Sequence, residues 1–451
     1  MISKKTGLLV IAMSVLAFSA AAQTWTGSGS TGADGAFVLT TSDPRILNGI
    51  FIFDPVRDGL DKNGTNIYNF TTITIPNGVT VQVRANKLRT PGPLIWLASG
   101  AVTINGILDV SGNNGHDSTV TLSLRSPSQP GPGGFPGGAG AKPGDVPQRG
   151  FGPGSGVAPT GAGSSGCSAG FATAWIPDAD NYYGTTARCA GGGGAYGNGN
   201  VQPFIGGSGG SGGYPNASSN VTGPGGGAGG GAIRITSDVS ITVNGPFDNS
   251  QGGFATCLCA NGGNTGASGV GGNSTSGYIV GGSGSGGSIH LQAPVVSIIN
   301  SQFAVTSVSA NGGFASVNSE FEYGSAGRIR IDTNSFQNTG TITPTPLVGP
   351  LTNVPLPANV PTVTVVSING TPVPANPTAA YTVPDLSINN TGNIPIVIST
   401  TNIPNTTINL YVSTEPGTVD SITPVTLTNG TGSANITLPQ GVSRFVVRAT
   451  W

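Results

Sequence analysis

Between Cys167 and Cys189 the chain reads Phe171-Ala172-Thr173-Ala174-Trp175-Ile176-Pro177-Asp178-Ala179-Asp180-Asn181-Tyr182-Tyr183, clustering aromatic rings and carboxylates in a region otherwise dominated by Gly, Pro, Ser and Ala. Trp175, Tyr182 and Tyr183 offer flat apolar faces, and Asp178 and Asp180 set acceptors beside them. Neutral sugar rings stack on such faces and hydrogen-bond to such neighbours. These five residues form the candidate glycan-binding set; a small satellite core under the loop is the plainer use of the same rings. A Cys167–Cys189 disulfide would close a loop of about 20 residues and stabilise it by roughly 3 kcal/mol on chain-entropy grounds.

With Cys257 and Cys259 the cysteines number four, so three pairings are open. Cys167 with Cys189 is the first choice because the two bracket one compact loop. It leaves Cys257-Leu258-Cys259 as a tight pair or as two thiols, and cross-pairing of the two clusters is the alternative. A zinc site is the rival use, but no histidine lies near.

Catalysis on a polysaccharide needs clustered carboxylates, or a calcium site with a basic residue placed as base. The acids here are scattered. Asp178 with Asp180 and Glu320 with Glu322 are close pairs, and Arg188 and Arg328 are the nearest basic residues. Arg234, Arg328 and Arg330 would form a basic row if their strands stack, or an ordinary solvated strand face. Asp58, Asp61 and Asn63 are hard oxygen donors in one turn, a weak calcium signal. Their order does not match an EF-hand and no bidentate Glu closes it, so a polar turn is the simpler account. Gly161 to Gly166 fits G-x-G-x-x-G, which carries no weight among 76 glycines and without a strand before it or a helix after it. His116 and His290 lie in different regions, and nothing points to a nucleophile triad. No catalytic residue and no metal ligand is assigned.

The elements that must position these residues begin after an export signal. Lys4 and Lys5 precede an apolar or small run from Gly7 to Phe18, then Ser19-Ala20-Ala21-Ala22 before Gln23. A basic start, a short apolar core and a small-residue ending make a signal peptide over 1–22. The run is shorter than the ~20 residues a membrane span needs, and no later stretch is long and apolar enough. Without Lys4 and Lys5, 15 basic side chains face 18 acidic ones, a net charge of -3. That balance leaves no electrostatic footprint for nucleic acid. Charged residues are 8% of the chain, against about 25% in ordinary domains. Such a surface suits neutral polar partners or self-association.

A block recurs along the chain. Leu94-Ile95-Trp96-Leu97, Ala101 to Ile104 and Ile107 to Val110 form one copy. Ala232-Ile233-Arg234-Ile235 with Val239 to Val243 begins a second, Ser288-Ile289-His290-Leu291 with Val295 to Ile299 a third, and Arg328-Ile329-Arg330-Ile331 with Phe336 a shorter fourth. Strands of three to five residues that alternate apolar with polar, three to a coil of about 20 residues, predict a parallel β-helix or solenoid. Gly191 to Gly194, Gly206 to Gly213 and Gly225 to Gly231 are the conspicuous glycine runs. They read either as flexible linkers or as left-handed polyglycine helices packed side by side. Their direct lead into Ile233 and Ile289 favours ordered packing.

The expected organisation is an N-terminal cap and first coils over 23–115, a Gly-rich region over 116–230, and further coils over 231–343. A Pro-rich joint at 344–360 and an immunoglobulin-like sandwich over 361–451 follow. Seven strands are expected in the last part, including Ala380 to Ile388, with Asn429-Gly430 as a turn.

The motifs Gly-Gly-Gly-Ala-Ile-Arg-Ile, Gly-Gly-Ser-Ile-His-Leu and Ala-Gly-Arg-Ile-Arg-Ile, with Phe70 to Val81 and Leu97 to Val102, resemble glycine-rich secreted right-handed β-helix proteins of environmental bacteria. The resemblance spans most of Thr24 to Ile331. It implies a fold and a surface or adhesin-like location and carries over no active-site residue. The expected function is a secreted structural or adhesive protein that meets extracellular polysaccharide, cell-surface material or itself. A polysaccharide lyase or hydrolase is the alternative.

Overall fold

The computed structural model describes residues 25–61, 64–121, 125–174, 192–244, 258–266, 279–299, 306–317, 320–353, 362–374, 377, 384–390, 392–415 and 418–448. These residues are all-β apart from one 3-10 turn, Ala85–Lys87, and none of their helices is long and apolar enough to cross a membrane.

Period-two alternation sets the core. In each copy of the block every second residue is apolar, and parallel pairing brings those residues into line. One line runs Tyr68, Trp96, Ile235, Leu291, Ile331 and Val348. A second runs Phe37, Ile73, Val102, Ile241, Val296 and Phe336. A third runs Phe51, Val81, Leu108, Leu258, Val308 and Ile342. Nearly all of these side chains are buried in one continuous core. Each fully buried aliphatic contributes about 1.5–3 kcal/mol relative to exposure. At the N-terminal end the core is aromatic: Phe37, Phe53, Phe70 and Trp96 lie 5.3–5.8 Å apart between ring centroids, at tilted or edge-on angles.

Strand lengths depart from the expected three to five residues. Ile67–Ile75, Ser288–Ile299 and Arg328–Asn338 are 9, 12 and 11 residues long. Each passes a corner and pairs on both sides of it. Ser288–Ile299 does so at Pro294, where the pairing with Arg328–Asn338 skips one position. Proline's fixed φ suits extended backbone, so Gln292-Ala293-Pro294 is a bend within one strand rather than a break between two. With Ile67–Ile75 and Ser288–Ile299 paired on both sides, six parallel strands close into a hydrogen-bonded ring. The pairing therefore establishes an all-β parallel assembly, and its ring closure is not the open path expected of a simple solenoid.

The glycine runs are ordered. Along 206–214 the backbone N–H groups of Gly207, Gly210 and Gly213 donate to the carbonyls of Gly230, Gly227 and Pro224. Those of Gly209 and Gly212 donate to Phe151 and Gln148, and those of Ser211 and Tyr214 to Cys167 and Ser164. A partner that changes with period three is the signature of a threefold extended helix. No glycine in 206–213 or 223–231 has positive φ, which makes the hand left. Gly223, Gly226 and Gly229 likewise donate to Ala141, Gly138 and Phe135. A Cβ on Gly229 would lie 1.8 Å from the Gly207 carbonyl oxygen, so side chains are sterically excluded. Ordering a residue costs about 1–2 kcal/mol and one hydrogen bond returns about 1 kcal/mol net. The array therefore holds only where coils pin both ends of each segment.

Coils and glycine segments alternate rather than occupying separate stretches. Gly263, Gly284, Gly313 and Gly324, from the later region, bond to Ala228, Gly263, Gly284 and Gly313 in the same array. The long glycine excursion leaves the coils at Val110 and returns at Gly231, whose N–H donates to the Val110 carbonyl at 2.8 Å. Part of the expected joint belongs to the coils, because Leu347–Gly349 pairs with Arg330 to Asp332.

The C-terminal part has two antiparallel sheets sharing one core of Ile394, Ile396, Ile398, Ile408, Leu410, Val412 and Val425. Seven strands are present among the described residues, but of the expected strand from Ala380 to Ile388 the described Leu386 and Ile388 lie in none, and the short Thr371–Pro372 pairs with Thr362–Ile368. Asn429 and Gly430 both have positive φ, as a type I′ hairpin turn requires. Arg149 lies 4.0 Å over the Tyr411 ring and Arg444 5.3 Å over the Phe151 ring, joining this part to the glycine array.

Candidate functional site

With Ile233 and Ile235 turned inward, alternation sends Arg234 and Thr236 to the outer side of the sheet, and the same holds on the next two strands. Register then aligns Arg234, His290 and Arg330 in one row and Thr236, Gln292 and Asp332 in the next. Ser288 and Arg328 form a third row with Ala232. The basic row expected from Arg234 and Arg330 exists, with His290 between them, but it is no solvated face. Arg234 and His290 are each 4% exposed, and Gln292 and Asp332 are fully buried.

Remote segments roof it. Asn200 Oδ1 accepts from Arg330, the Ile205 carbonyl accepts from Ser288 Oγ at 2.6 Å, and the Thr352 carbonyl accepts from Gln292 Nε2. Thr26 and Asn353 bond each other reciprocally, both at 2.9 Å. Arg328 donates to the carbonyls of Tyr196 and Gly197 at 3.0 and 3.2 Å.

Inside, His290 Nε2 meets Asp332 Oδ2 at 2.7 Å, and Arg330 Nε meets both Asp332 oxygens at 2.9 Å. Arg234 donates to Gln292 Oε1 at 2.7 Å and Thr236 Oγ1 at 3.1 Å. Burial pushes the His290 imidazole below its usual range, and the neighbouring Arg234 and Arg330 act in the same direction against its bond to Asp332. Burial would raise the Asp332 carboxyl, but hydrogen bonds from His290 and Arg330 outweigh it and hold the carboxyl low. Burial lowers Arg234 to about 10, against the pull of Asp332. A His–Asp pair orients a proton, but a general base must reach the proton it takes. Here the pair is enclosed on its outer side by backbone and amide groups, so the cluster holds strands, roof and joint together.

The sequence-chosen residues fall differently. Trp175, Asp178, Asp180, Tyr182, Tyr183, Cys189 and Cys257 lie outside the described residues. Cys167 is buried in the glycine array, and Cys259 is buried on the strand that pairs with Asp109 and Ser309. The base of the aromatic loop is described: Phe171 stacks on Tyr196 at 4.4 Å, and Arg328 lies 5.5 Å over the Phe171 ring. Arg328 therefore sits beside Phe171 and Tyr196, apart from the Arg234–Arg330 row.

In the candidate calcium turn, Asp58 is held by Arg57 at 2.8 Å and by Arg45 at 3.4 Å. Asp61 accepts from Thr65 N and Oγ1 and from Asn66 N at 2.6–2.9 Å, while Asn63 lies outside the described residues. The two carboxylates thus close a turn and an ion pair. Among the described residues no group of three or more His, Cys, Asp or Glu converges. Glu320 and Glu322 stand on the hairpin strand Glu320–Tyr323. His116 Nε2 meets Ser126 Oγ at 3.0 Å on an exposed surface, with no carboxylate on its other nitrogen among the described residues.

Sequence reasoning missed Gln292 and Asp332. Their signal was available: aligning Ile289 with Ile329 places Asp332 one outward position beyond the partner of His290. Comparison with family models, curated proteins and solved structures returned no match.

Proposed function

We propose that this is an exported structural or adhesive protein of the cell surface. In this reading residues 1–22 are a signal peptide and the closed parallel-strand assembly is the body of the scaffold. The C-terminal sheets then form an immunoglobulin-like module, and Cys167 pairs with Cys189. The partner is extracellular glycan, matrix or a second copy of the chain.

One observation carries the reading: glycine segments from distant parts of the chain are locked in a backbone hydrogen-bonded array in which most of the glycines have no room for a Cβ. Such an array is rigid and chemically neutral, a scaffold property rather than a catalytic one. The described ionic cluster with the closest geometry is enclosed, which supports the same conclusion.

The test is incubation of the mature protein with a panel of polysaccharides, with and without calcium. Retention on one of them with no change in the polymer is expected. New reducing ends or unsaturated products would overturn the scaffold reading in favour of a lyase or hydrolase. Trp175→Ala combined with Tyr182→Ala is expected to weaken retention with an unchanged melting curve.

A further inference from the structure

Three successive coils carry a column in which the side-chain oxygen of one residue holds the backbone of the next. Asn114 Oδ1 accepts from Asn264 N at 2.9 Å, and Asn264 Oδ1 accepts from Phe314 N at 3.0 Å. The Thr265 N–H donates to the Phe314 carbonyl at 3.2 Å, fixing the same register from the other side. Each Asn thus commits its oxygen inward, and its NH2 group has no acceptor among the described residues. Asn114 is exposed and Asn264 half-buried.

The column ends on aromatic rings. Phe314 pairs across the hairpin with Tyr323, and the two rings lie 6.5 Å apart between centroids with a 41° angle between planes. Phe314 is 40% and Tyr323 59% exposed, and among the described residues they are the only exposed Phe, Tyr or Trp rings. The aromatic rings at the N-terminal end are buried together by contrast. The hairpin base is held firmly, since Gly324 donates to Gly313 at 2.8 Å and Ser325 to Ala169 at 2.9 Å.

We propose that Asn114, Asn264, Phe314 and Tyr323 form a binding strip for an uncharged polysaccharide chain. This assignment rests on the glycan-binding reading above and places a contact outside the Cys-bracketed loop. Adjacent parallel strands are about 4.8 Å apart, so the column spans about 10 Å from Asn114 to Phe314, the scale of two linked sugar rings. Two carboxamide NH2 groups would donate to ring hydroxyls or ether oxygens. The tilted aromatic pair offers its faces to the C–H side of a pyranose. Neither the amides nor the rings carry charge, which selects against acidic polymers.

The experiment uses the full mature chain in pull-down and isothermal titration with cellulose, chitin, starch, agarose and β-1,3-glucan and their soluble oligomers. It compares the native chain, Phe314→Ala/Tyr323→Ala, Tyr323→Phe and Asn264→Ala at 50 mM and 1 M salt, with a melting curve for each. One polymer is expected to be retained equally at both salt concentrations. The double variant should lose about tenfold or more in Kd, the scale of losing one aromatic anchor, and Tyr323→Phe should keep most of the affinity. Unchanged binding by a folded double variant overturns the strip and leaves the glycan reading standing. No retention of the native chain on any polymer overturns both. Binding that vanishes at 1 M salt overturns the uncharged ligand. If the double variant does not melt cooperatively, Asn264→Ala decides: full affinity in that variant overturns the strip.

Discussion

Gly193 and Gly194 are neighbours in one glycine run, and the structure gives them opposite roles. A Cβ on Gly193 would lie 1.8 Å from the carbonyl oxygen of Gly154 and 2.2 Å from the backbone nitrogen of Gly170. Those two atoms are the acceptor and donor of a single hydrogen bond, Gly170 N to Gly154 O at 2.8 Å. The added methyl would therefore be driven into that bond. A Cβ on Gly194 meets nothing within 4 Å, and its φ is not in the positive region. Gly193→Ala strands a donor and an acceptor at about 1–3 kcal/mol each and adds about 1–3 kcal/mol of overpacking. Local relaxation takes back part, so a net loss of about 3–5 kcal/mol is expected. Gly194→Ala removes freedom mainly from the unfolded chain and should gain about 0.4–1 kcal/mol. Urea denaturation followed by fluorescence, with a differential scan as check, measures both. In a flexible linker the two substitutions would be equivalent. Agreement of the two variants within about 0.5 kcal/mol, the usual noise of surface substitutions, would refute the ordered array.

Acid should weaken the protein through His290. Its folded pKa is lowered, so the unfolded chain takes up a proton that the folded chain refuses. That contribution is complete above the unfolded value near 6.5. It falls as pH drops below it, by at most about 1.4 kcal/mol per pH unit. Stability measured from pH 7 to pH 5 should decline, and His290→Gln should flatten the slope. Asp332, also held low, adds a separate loss only below about pH 4; Asp332→Asn should cost about 1–3 kcal/mol near neutral pH because it leaves the half-buried Arg330 without its carboxylate. The Tyr68 hydroxyl is buried without a hydrogen-bond partner among the described residues. Tyr68→Phe should therefore raise stability by about 1 kcal/mol, read as a higher denaturation midpoint.

Alternation made the inward lines legible: Ile233, Ile289 and Ile329 do stand in register, although they are unequally spaced in the chain. Strand length was less legible, because a corner at Pro294 looks like a turn in sequence and is a bend within one strand in space. The outer face of Arg234 and Arg330 was misread for a deeper reason. Whether a polar strand face meets water depends on what covers it, and the cover comes from Tyr196 to Ile205 and from Thr352, far away in the chain. Glycine runs pose the same difficulty. Composition is identical for a linker and for an array, and only the neighbours distinguish them. In the C-terminal part, Asn429-Gly430 announced its hairpin through φ preference, whereas Ala380 to Ile388 alternated well enough to suggest a strand that Leu386 and Ile388 do not form.

The closure between Val110 and Gly231 has a consequence for biosynthesis. Leu94–Ala98 receives its next neighbour only when Ala232–Ser237 has been made. Synthesis runs at roughly 5–20 residues per second, so the interval lasts on the order of ten seconds. Throughout it the nascent chain presents a bare strand edge with Trp96 behind it, the kind of template on which chains misassemble. The glycine excursion that stiffens the finished protein is thus also a delay, and slowing elongation between residues 110 and 232 should increase aggregation more than slowing it anywhere downstream.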